Sequence, residues 1–416
     1  MNDRITAAWP ARATTQQVPT SPVCPGCQSE ASTPFYSVRR VPVHQVQLVR
    51  SRKAAKACRK GDMALCFCAS CGFVWNAAFD VALMRYDEEY ESTQTVSPTF
   101  NRFHERLAQD LIARFDLHGK TIVEVGCGQG EFITMLAAIG GNRGFGFDRV
   151  NRGAAGSPPG VTFVKDFYGP AYGHLEPDFV CCKMTLEHVH DTGAFLQRMR
   201  QAIGDRPEAV IFFMIPEVTR ILELRAFWDV YYEHCSYYSP GALARHFRLA
   251  GFDPIDVWCD YDDQYVLIAA RPGTGRSPTL ANEQPAAALA PKVAAFATGV
   301  AADLARWRNW LKQRRRQGQK TVLWGGGSKA VAFLTTLGLR DEIAYTVDLN
   351  PRRSGTFIAG TGHAIMAPEA LKKNPPDTLI VMSPIYLPEI KAQLGAMGVR
   401  PQQLLTVESP QNPKAA

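Results

Sequence analysis

The stretch Thr121-Ile-Val-Glu-Val-Gly-Cys-Gly-Gln-Gly-Glu131 passes from a short apolar run into a glycine-rich turn, and Phe132-Ile-Thr-Met-Leu-Ala-Ala-Ile139 continues it with helical spacing. It predicts a strand, a loop and a helix in immediate succession. Gly126, Gly128 and Gly130 let the backbone approach a ligand closely, but the last glycine of the dinucleotide fingerprint is missing and Glu131 stands where it would fall. Glu124, just before the turn, argues the same way: a carboxylate there would oppose a bound pyrophosphate, which seeks amide N–H groups and the positive ends of helices.

A cofactor with cationic groups and no phosphate suits such a turn better. S-adenosylmethionine carries a sulfonium and an ammonium, so Glu124 would attract it, directly or by ordering the amides of the loop. The next apolar run, Gly144-Phe-Gly-Phe-Asp148, places an acid about 20 residues on, where a doubly wound fold presents a carboxylate to the ribose hydroxyls. Val161-Thr-Phe-Val-Lys-Asp166 ends in a second acid, a candidate acceptor for the adenine amino group. Pro177-Asp-Phe-Val-Cys-Cys-Lys-Met184 then leads to Thr185-Leu-Glu-His-Val-His-Asp191. One glycine turn followed by an acid is an ordinary βα connection. Four such runs in this order resemble the class I methyltransferases over about residues 100–270. The candidate cofactor residues are Glu124, Gly126, Gly128, Gly130, Asp148 and Asp166.

At 416 residues the chain is long enough for two or three domains, and 46% hydrophobic with 20% charged residues is the balance of a globular protein rather than a disordered one. No apolar run reads as a bilayer span and Met1-Asn-Asp-Arg4 does not start a signal peptide, so no membrane is expected and the cytoplasm is the default compartment. There the 11 cysteines stay reduced unless a metal holds them. Cys24-Pro-Gly-Cys27 and Cys68-Ala-Ser-Cys71 form a pair of knuckles, each a tight turn aiming two sulfurs at one point. Four thiolates at Cys24, Cys27, Cys68 and Cys71 would fill zinc's tetrahedral shell and leave no place for water, which predicts a structural ion. Cys58 and Cys66 are spare.

The formal charge of +7 resides in residues 1–72, with ten Lys or Arg against three acids; the rest of the chain is balanced. Compensation of a zinc–thiolate centre of net charge about −2 accounts for such an excess. Nucleic-acid binding by a basic zinc module, beside a vestigial methyltransferase fold, is the non-enzyme alternative.

Between knuckle and glycine loop, Tyr86 to Phe100 is polar and aromatic, either a lid over the site or a plain surface connection. Beyond the central strands, Tyr231-Tyr-Glu-His234 lies in the densest cluster of titratable and aromatic groups, where an imidazole could serve as a base near neutral pH or the ring tips could simply bond to backbone. Arg271 to Pro278 reads as a linker. A helix from Ala286 to about Arg315 follows, with Val293, Phe296, Val300, Leu304, Trp307 and Leu311 on one stripe facing a core. Thr321-Val-Leu-Trp-Gly-Gly-Gly-Ser-Lys329 starts a second strand, loop and helix, and Pro410 to Ala416 is expected to fray.

The order of four-cysteine module, methyltransferase pattern, Tyr-x-Glu-His loop and second glycine turn, with Tyr345-Thr-Val-Asp348, Gly360-Thr-Gly362 and Pro376 to Met382, resembles the C-methyltransferases of nucleotide-linked 4-keto-deoxysugars. The resemblance implies an α/β chain of two Rossmann-like doubly wound domains behind a zinc-binding module, in units 1–85, 86–272 and 286–409. It implies S-adenosylmethionine, structural zinc and a nucleotide-linked sugar, with His234 as base oriented by Glu233, His188 and Tyr231 near the sugar and Tyr90 on the lid. Two features depart from the family: Tyr90-Glu-Ser-Thr93 stands where Tyr-x-Ser-Ser is common, and Val49 to Lys60 is unusually basic. An O-methyltransferase, which needs a base for a hydroxyl and no ketone, is the enzyme alternative.

Overall fold

The computed structural model describes residues 22–86, 89–151 and 158–409. The first 21 residues, with part of the basic excess and the expected absence of a leader, and the tail expected to fray lie outside the described residues.

Strands β1 (Ser32–Pro42), β2 (Lys60–Cys68) and β3 (Val74–Asn76) form an antiparallel sheet whose outermost strand, β9 (Ser236–Tyr237), comes from the aromatic stretch after the central strands. The N-terminal module is thus completed by residues about 160 positions further along the chain. Helix Pro98–Phe115 follows, capped by Ser97 and buried through Phe100, Phe103, Leu107, Leu111 and Ile112 at helical spacing.

The central sheet has seven strands: β4 (Thr121–Val125), β5 (Arg143–Phe147), β6 (Val161–Val164), β7 (Phe179–Lys183), β8 (Val210–Pro216), β10 (Phe252–Asp260) and β11 (Tyr265–Pro272). Their spatial order is β6-β5-β4-β7-β8-β11-β10, parallel except that β11 runs against both of its neighbours. Chain direction across the sheet reverses at β4, which makes its C-terminal end the switch point where an open α/β sheet leaves a crevice. All the strands expected around the glycine turn form, but β5, β6 and β7 end before Asp148, Asp166 and Met184, so both acids project from loops.

A second sheet is wholly parallel, ordered β14 (Ile365–Met366), β13 (Tyr345–Val347), β12 (Thr321–Trp324), β15 (Thr378–Val381), β16 (Gln403–Thr406), and it reverses at β12. Between the two sheets, Ala286–Arg316 is long and apolar enough to reach across a bilayer, which the sequence reading did not allow for. Its helix Ala290–Arg316 instead buries Val293, Phe296, Val300, Trp307 and Leu311 of the expected stripe, with Leu304 half-buried beside them. That stripe shares one apolar cluster with Met63 and Leu65 of β2, Phe227 and Trp228, and Phe333 of the C-terminal helix Ser328–Leu337. The linker expectation holds only in part, because Arg271 and Pro272 still belong to β11 and Arg248 binds the carbonyls of Ser277 and Pro278.

Candidate active site

The turn after β4 is held from below by Glu124. It is buried, accepts the Ile133 amide in the first turn of helix Glu131–Gly140 at 2.9 Å, and pairs with Lys183 at 3.2 Å. Burial raises its pKa and the Lys183 ammonium opposes the rise. Glu124 is thus bonded to the helix behind the turn and to Lys183. Gly126 and Gly130 are required where they stand, since a Cβ at Gly126 would lie 2.1 Å from Thr185 Oγ1 and one at Gly130 2.2 Å from the Phe163 ring, both at positive φ. Gly128 is at positive φ as well but differs in its surroundings, for a Cβ there would point into open space, the direction from which a ligand would approach.

Asp148 accepts the Gly128 amide at 2.9 Å and the Val150 amide at 2.8 Å, which fixes the carboxylate beside the turn. Asp166 accepts the Tyr172 hydroxyl at 2.7 Å, and that bond holds its pKa below the usual range. Glu124, Gly126, Gly128, Asp148 and Asp166 all line one cavity, and Gly130 lies just behind as the N-cap of the helix. Open space at Gly128, amides at a helix N-terminus and a carboxylate at the end of β5 fit an adenosyl cofactor. Gly128→Val is expected to fill the cradle and Asp148→Ala to release the ribose, each weakening S-adenosylmethionine binding by about tenfold or more with the fold retained. Calorimetry giving wild-type affinity in both variants would sink this assignment.

The same cavity, about 2340 Å³, is lined by Tyr90, His188, Tyr231, Glu233 and His234, so the expected catalytic residues do come together. The ring of His234 lies 4.2 Å from that of Tyr231 and 4.9 Å, edge to face, from that of His188. Burial pushes the imidazole of His234 well below its usual pKa, reinforced by His188 and Lys329; burial also lowers His188, against the pull of Glu233. Both rings are therefore neutral near pH 7.

One expected relation is not formed. Glu233 gives its carboxylate to His44 Nδ1 at 2.8 Å instead of orienting His234, and His44 Nε2 accepts the Arg85 amide at 3.1 Å. With Nε2 accepting the amide, Nδ1 is the nitrogen that donates to the carboxylate. His44 and Tyr86 thus join the cluster, with the Tyr86 ring 5.6 Å from His44 and 5.0 Å from Tyr90. Neither residue stands in a motif that sequence reasoning could have used.

Tyr90 is carried by a strap rather than a free loop. The Leu48 amide donates to the Glu89 carbonyl and the Glu91 amide to the Val46 carbonyl, stitching the strap to the N-terminal segment. On its other side Glu91 binds Arg352 at 2.8 Å and Asn350 at 3.3 Å, while Ser97 donates to Glu389 at 2.9 Å. Glu91, at the free position of the family's Tyr-x-Ser-Ser pattern, is therefore an anchor to the C-terminal sheet, while the departure itself falls at Thr93.

That sheet repeats the cofactor geometry. After β12, the Gly326 amide donates to Asp348 at 2.7 Å and the Asn350 amide to the same carboxylate at 2.8 Å, as Gly128 and Val150 do with Asp148. Gly325, Ser328, Lys329, Asp348 and Arg353 line the same cavity, so the two switch points face each other across it.

In the N-terminal module the sulfurs of Cys24, Cys27, Cys68 and Cys71 lie within 4.8 Å of one another. The pairs Cys24–Cys71 and Cys27–Cys68 are 3.7 and 3.6 Å apart. A tetrahedron with metal–sulfur bonds of about 2.3 Å has edges of about 3.8 Å, so the donor set fits a closed ion site. His246, which the sequence reading passed over, sits behind it: Nδ1 meets the Tyr238 hydroxyl at 3.0 Å and Nε2 lies 3.4 Å from Cys71 Sγ, the place of an outer donor to a thiolate. The basic stretch expected to balance the thiolates docks elsewhere, its Val49 and Ala55 carbonyls accepting amides of Phe357 and Gly360. The guanidinium bound beside the knuckle is that of Arg245, which donates to the Cys71 carbonyl at 2.9 Å.

Residues 100–257 match a methyltransferase domain and residues 278–406 match the C-methyltransferase C-terminal domain. The C-methyltransferase NovU of Streptomyces niveus is 23% identical over 291 residues, covering 65% of this chain and 68% of that protein. Among solved structures, the 1,6-didemethyltoxoflavin-N1-methyltransferase of Burkholderia thailandensis is 19% identical with a TM-score of 0.31, covering 41% of this chain and 78% of that one. The magnesium protoporphyrin IX methyltransferase of Synechocystis PCC 6803 is 16% identical with a TM-score of 0.30, covering 44% and 85%. The doubly wound sheet, its glycine turn and the matched domains define the chain as an S-adenosylmethionine-dependent methyltransferase. Within that class, residues 278–406 add a match to the C-methyltransferase C-terminal domain.

Proposed function

We propose that the protein methylates a carbon next to the ketone of a nucleotide-linked 4-keto-deoxysugar. The observation that carries this reading is the shared cavity: two glycine turns at two sheet switch points face one another with the histidine and tyrosine cluster among the lining. A space of about 2340 Å³ exceeds what one small ligand needs and accommodates a cofactor and a second nucleotide-sized molecule. The turn Gly325 to Ser328 opens helix Ser328–Leu337, whose N-terminal amides suit a diphosphate, with Lys329, paired with Asp229, beside them on the cavity wall. Four thiolates in a closed shell suit structural zinc.

The bound cofactor supplies an electrophilic methyl group. The work of this chain is to make the carbon nucleophilic: a C–H beside a ketone is acidic enough for a positioned base to remove its proton, giving an enolate. His234, neutral and buried, is that base, with His188 and Tyr231 against its ring. Glu233 and His44 tie the base-bearing loop to the N-terminal segment, and the strap holds Tyr90 over the cluster.

A panel of nucleotide-linked 4-keto sugars and their reduced counterparts tests the reading by product mass and by the position of the new methyl. Methylation on carbon of the keto sugars alone is expected. Methylation on oxygen of the reduced sugars would overturn it.

A further inference from the structure

Glu187 has no part in the reading so far. It lies in the short turn Leu186–His188 after β7, is 1% exposed, and neither carboxyl oxygen has a hydrogen-bond partner. Its carboxyl and the ring nitrogens of His188 and His234 lie within 4.8 Å of one another, and all three residues line the cavity. The backbone fixes this arrangement, because the Glu187 carbonyl accepts the Cys235 amide at 2.8 Å and so ties the turn to the loop that bears His234. A carboxylate this deep, met by no side-chain donor and helped only by its own backbone amide, is disfavoured, so the group keeps its proton; burial pushes its pKa up to about 8 against the pull of that amide. The O–H of a carboxylic acid in an ordinary core is given an acceptor. At Glu187 the described residues provide none, and the cavity beside the two imidazoles is where one would sit.

We propose that Glu187 is a catalytic acid whose carboxyl O–H donates to the ketone oxygen of the substrate and stabilises the enolate as His234 removes the neighbouring proton. The proposal rests on the ketone reading above. In the step, the C–H pair becomes the second bond of the enolate, the proton passes to the imidazole of His234, and the charge collects on the oxygen that Glu187 contacts. When the carbon takes the methyl group, the ketone re-forms, Glu187 retains its proton and the imidazolium of His234 releases one proton to solvent. A preorganised donor aimed at such an oxygen is worth about 10²–10³-fold in rate.

Two measurements decide it. Infrared difference spectra of substrate-free wild type and Glu187→Gln at pH 7 read the proton whatever the substrate is: a protonated carboxyl band lost in the variant is expected, and a carboxylate band in its place overturns the proposal. The second uses a keto sugar that the wild type methylates. Glu187→Gln, which keeps an N–H donor, is expected to lose about tenfold in kcat and Glu187→Leu about 10²–10³-fold, with cofactor affinity by calorimetry unchanged in both. Retention of kcat within about twofold in Glu187→Leu overturns the proposal, and so does equal loss in the two variants, which would make the carboxylate a base. A second metal equivalent per chain, present in wild type and lost from Glu187→Gln, also overturns it, by giving the oxygen a Lewis acid instead. Failure of every keto sugar with wild type would sink the ketone reading alone, since the infrared result does not depend on it.

Discussion

His234→Asn is expected to lose about 10²–10⁴-fold in turnover while keeping the bound metal, cofactor affinity and substrate affinity. The size follows from what the residue is asked to do: His234 is assigned the proton of the carbon acid, and asparagine keeps the shape without a basic nitrogen. Exchange of the substrate's α-hydrogen with deuterated water isolates the step when a cofactor analogue unable to donate methyl is bound. Wild type exchanges and the variant does not; undiminished exchange in His234→Asn would move the base to His188. The pH profile carries the same test. Burial lowers the pKa of His234 well below that of an exposed histidine, so the ring binds a proton only at acid pH. The exchange rate is therefore expected to show no protonation of this base from pH 8 down to about 6.5, the unperturbed histidine value, and to fall only below it. Folding is linked with the same sign: the unfolded chain takes up a proton at His234 before the folded one does, so this contribution is intact above about pH 6.5 and is lost as the pH falls.

What was legible in the sequence was local. Thr121 to Glu131 announces β4, its turn and its helix because strand and helix periodicities and glycine spacing are properties of consecutive residues. Asp148 was legible because the βα unit sets its distance from the turn, and the knuckles because each Cys-x-x-Cys folds on itself. Tyr231, Glu233 and His234 were reached through family resemblance, which named the residues but not their partners. The carboxylate of Glu233 bonds His44 across 189 positions, and His246 backs Cys71 across 175; no period or motif records such pairs. Glu91 likewise reads as a polar residue in a loose segment until Arg352 and Asn350 arrive from the far end of the chain. Glu187 was hidden for the opposite reason: it is distinguished by the partner it lacks, and a missing hydrogen bond appears only once the fold has excluded water around it.

Removing the metal from the four-cysteine site is expected to cost the fold rather than the chemical step. Cys24, Cys68 and Cys71 belong to the same apolar cluster as Phe73, Trp75, Tyr238 and Phe247, and β9 continues the sheet of the module into the loop that bears His234. The thiolates are therefore buried against the methyltransferase core, and without an ion each would have to be protonated or left as an uncompensated charge in an apolar setting. Zinc bound by small cysteine-rich modules contributes about 10–16 kcal/mol, comparable with the whole stability of a domain, about 5–15 kcal/mol. Cys24→Ser and Cys71→Ser should accordingly lower soluble yield and Tm sharply, while whatever folded protein survives keeps a kcat close to that of wild type. His246→Ala separates the ion from its support: it removes the outer donor to Cys71 and should weaken zinc about 10–100-fold without releasing it at ordinary zinc concentrations. Metal analysis of fresh protein should find one zinc per chain; iron, or no metal in protein that is folded and active, would overturn the structural assignment.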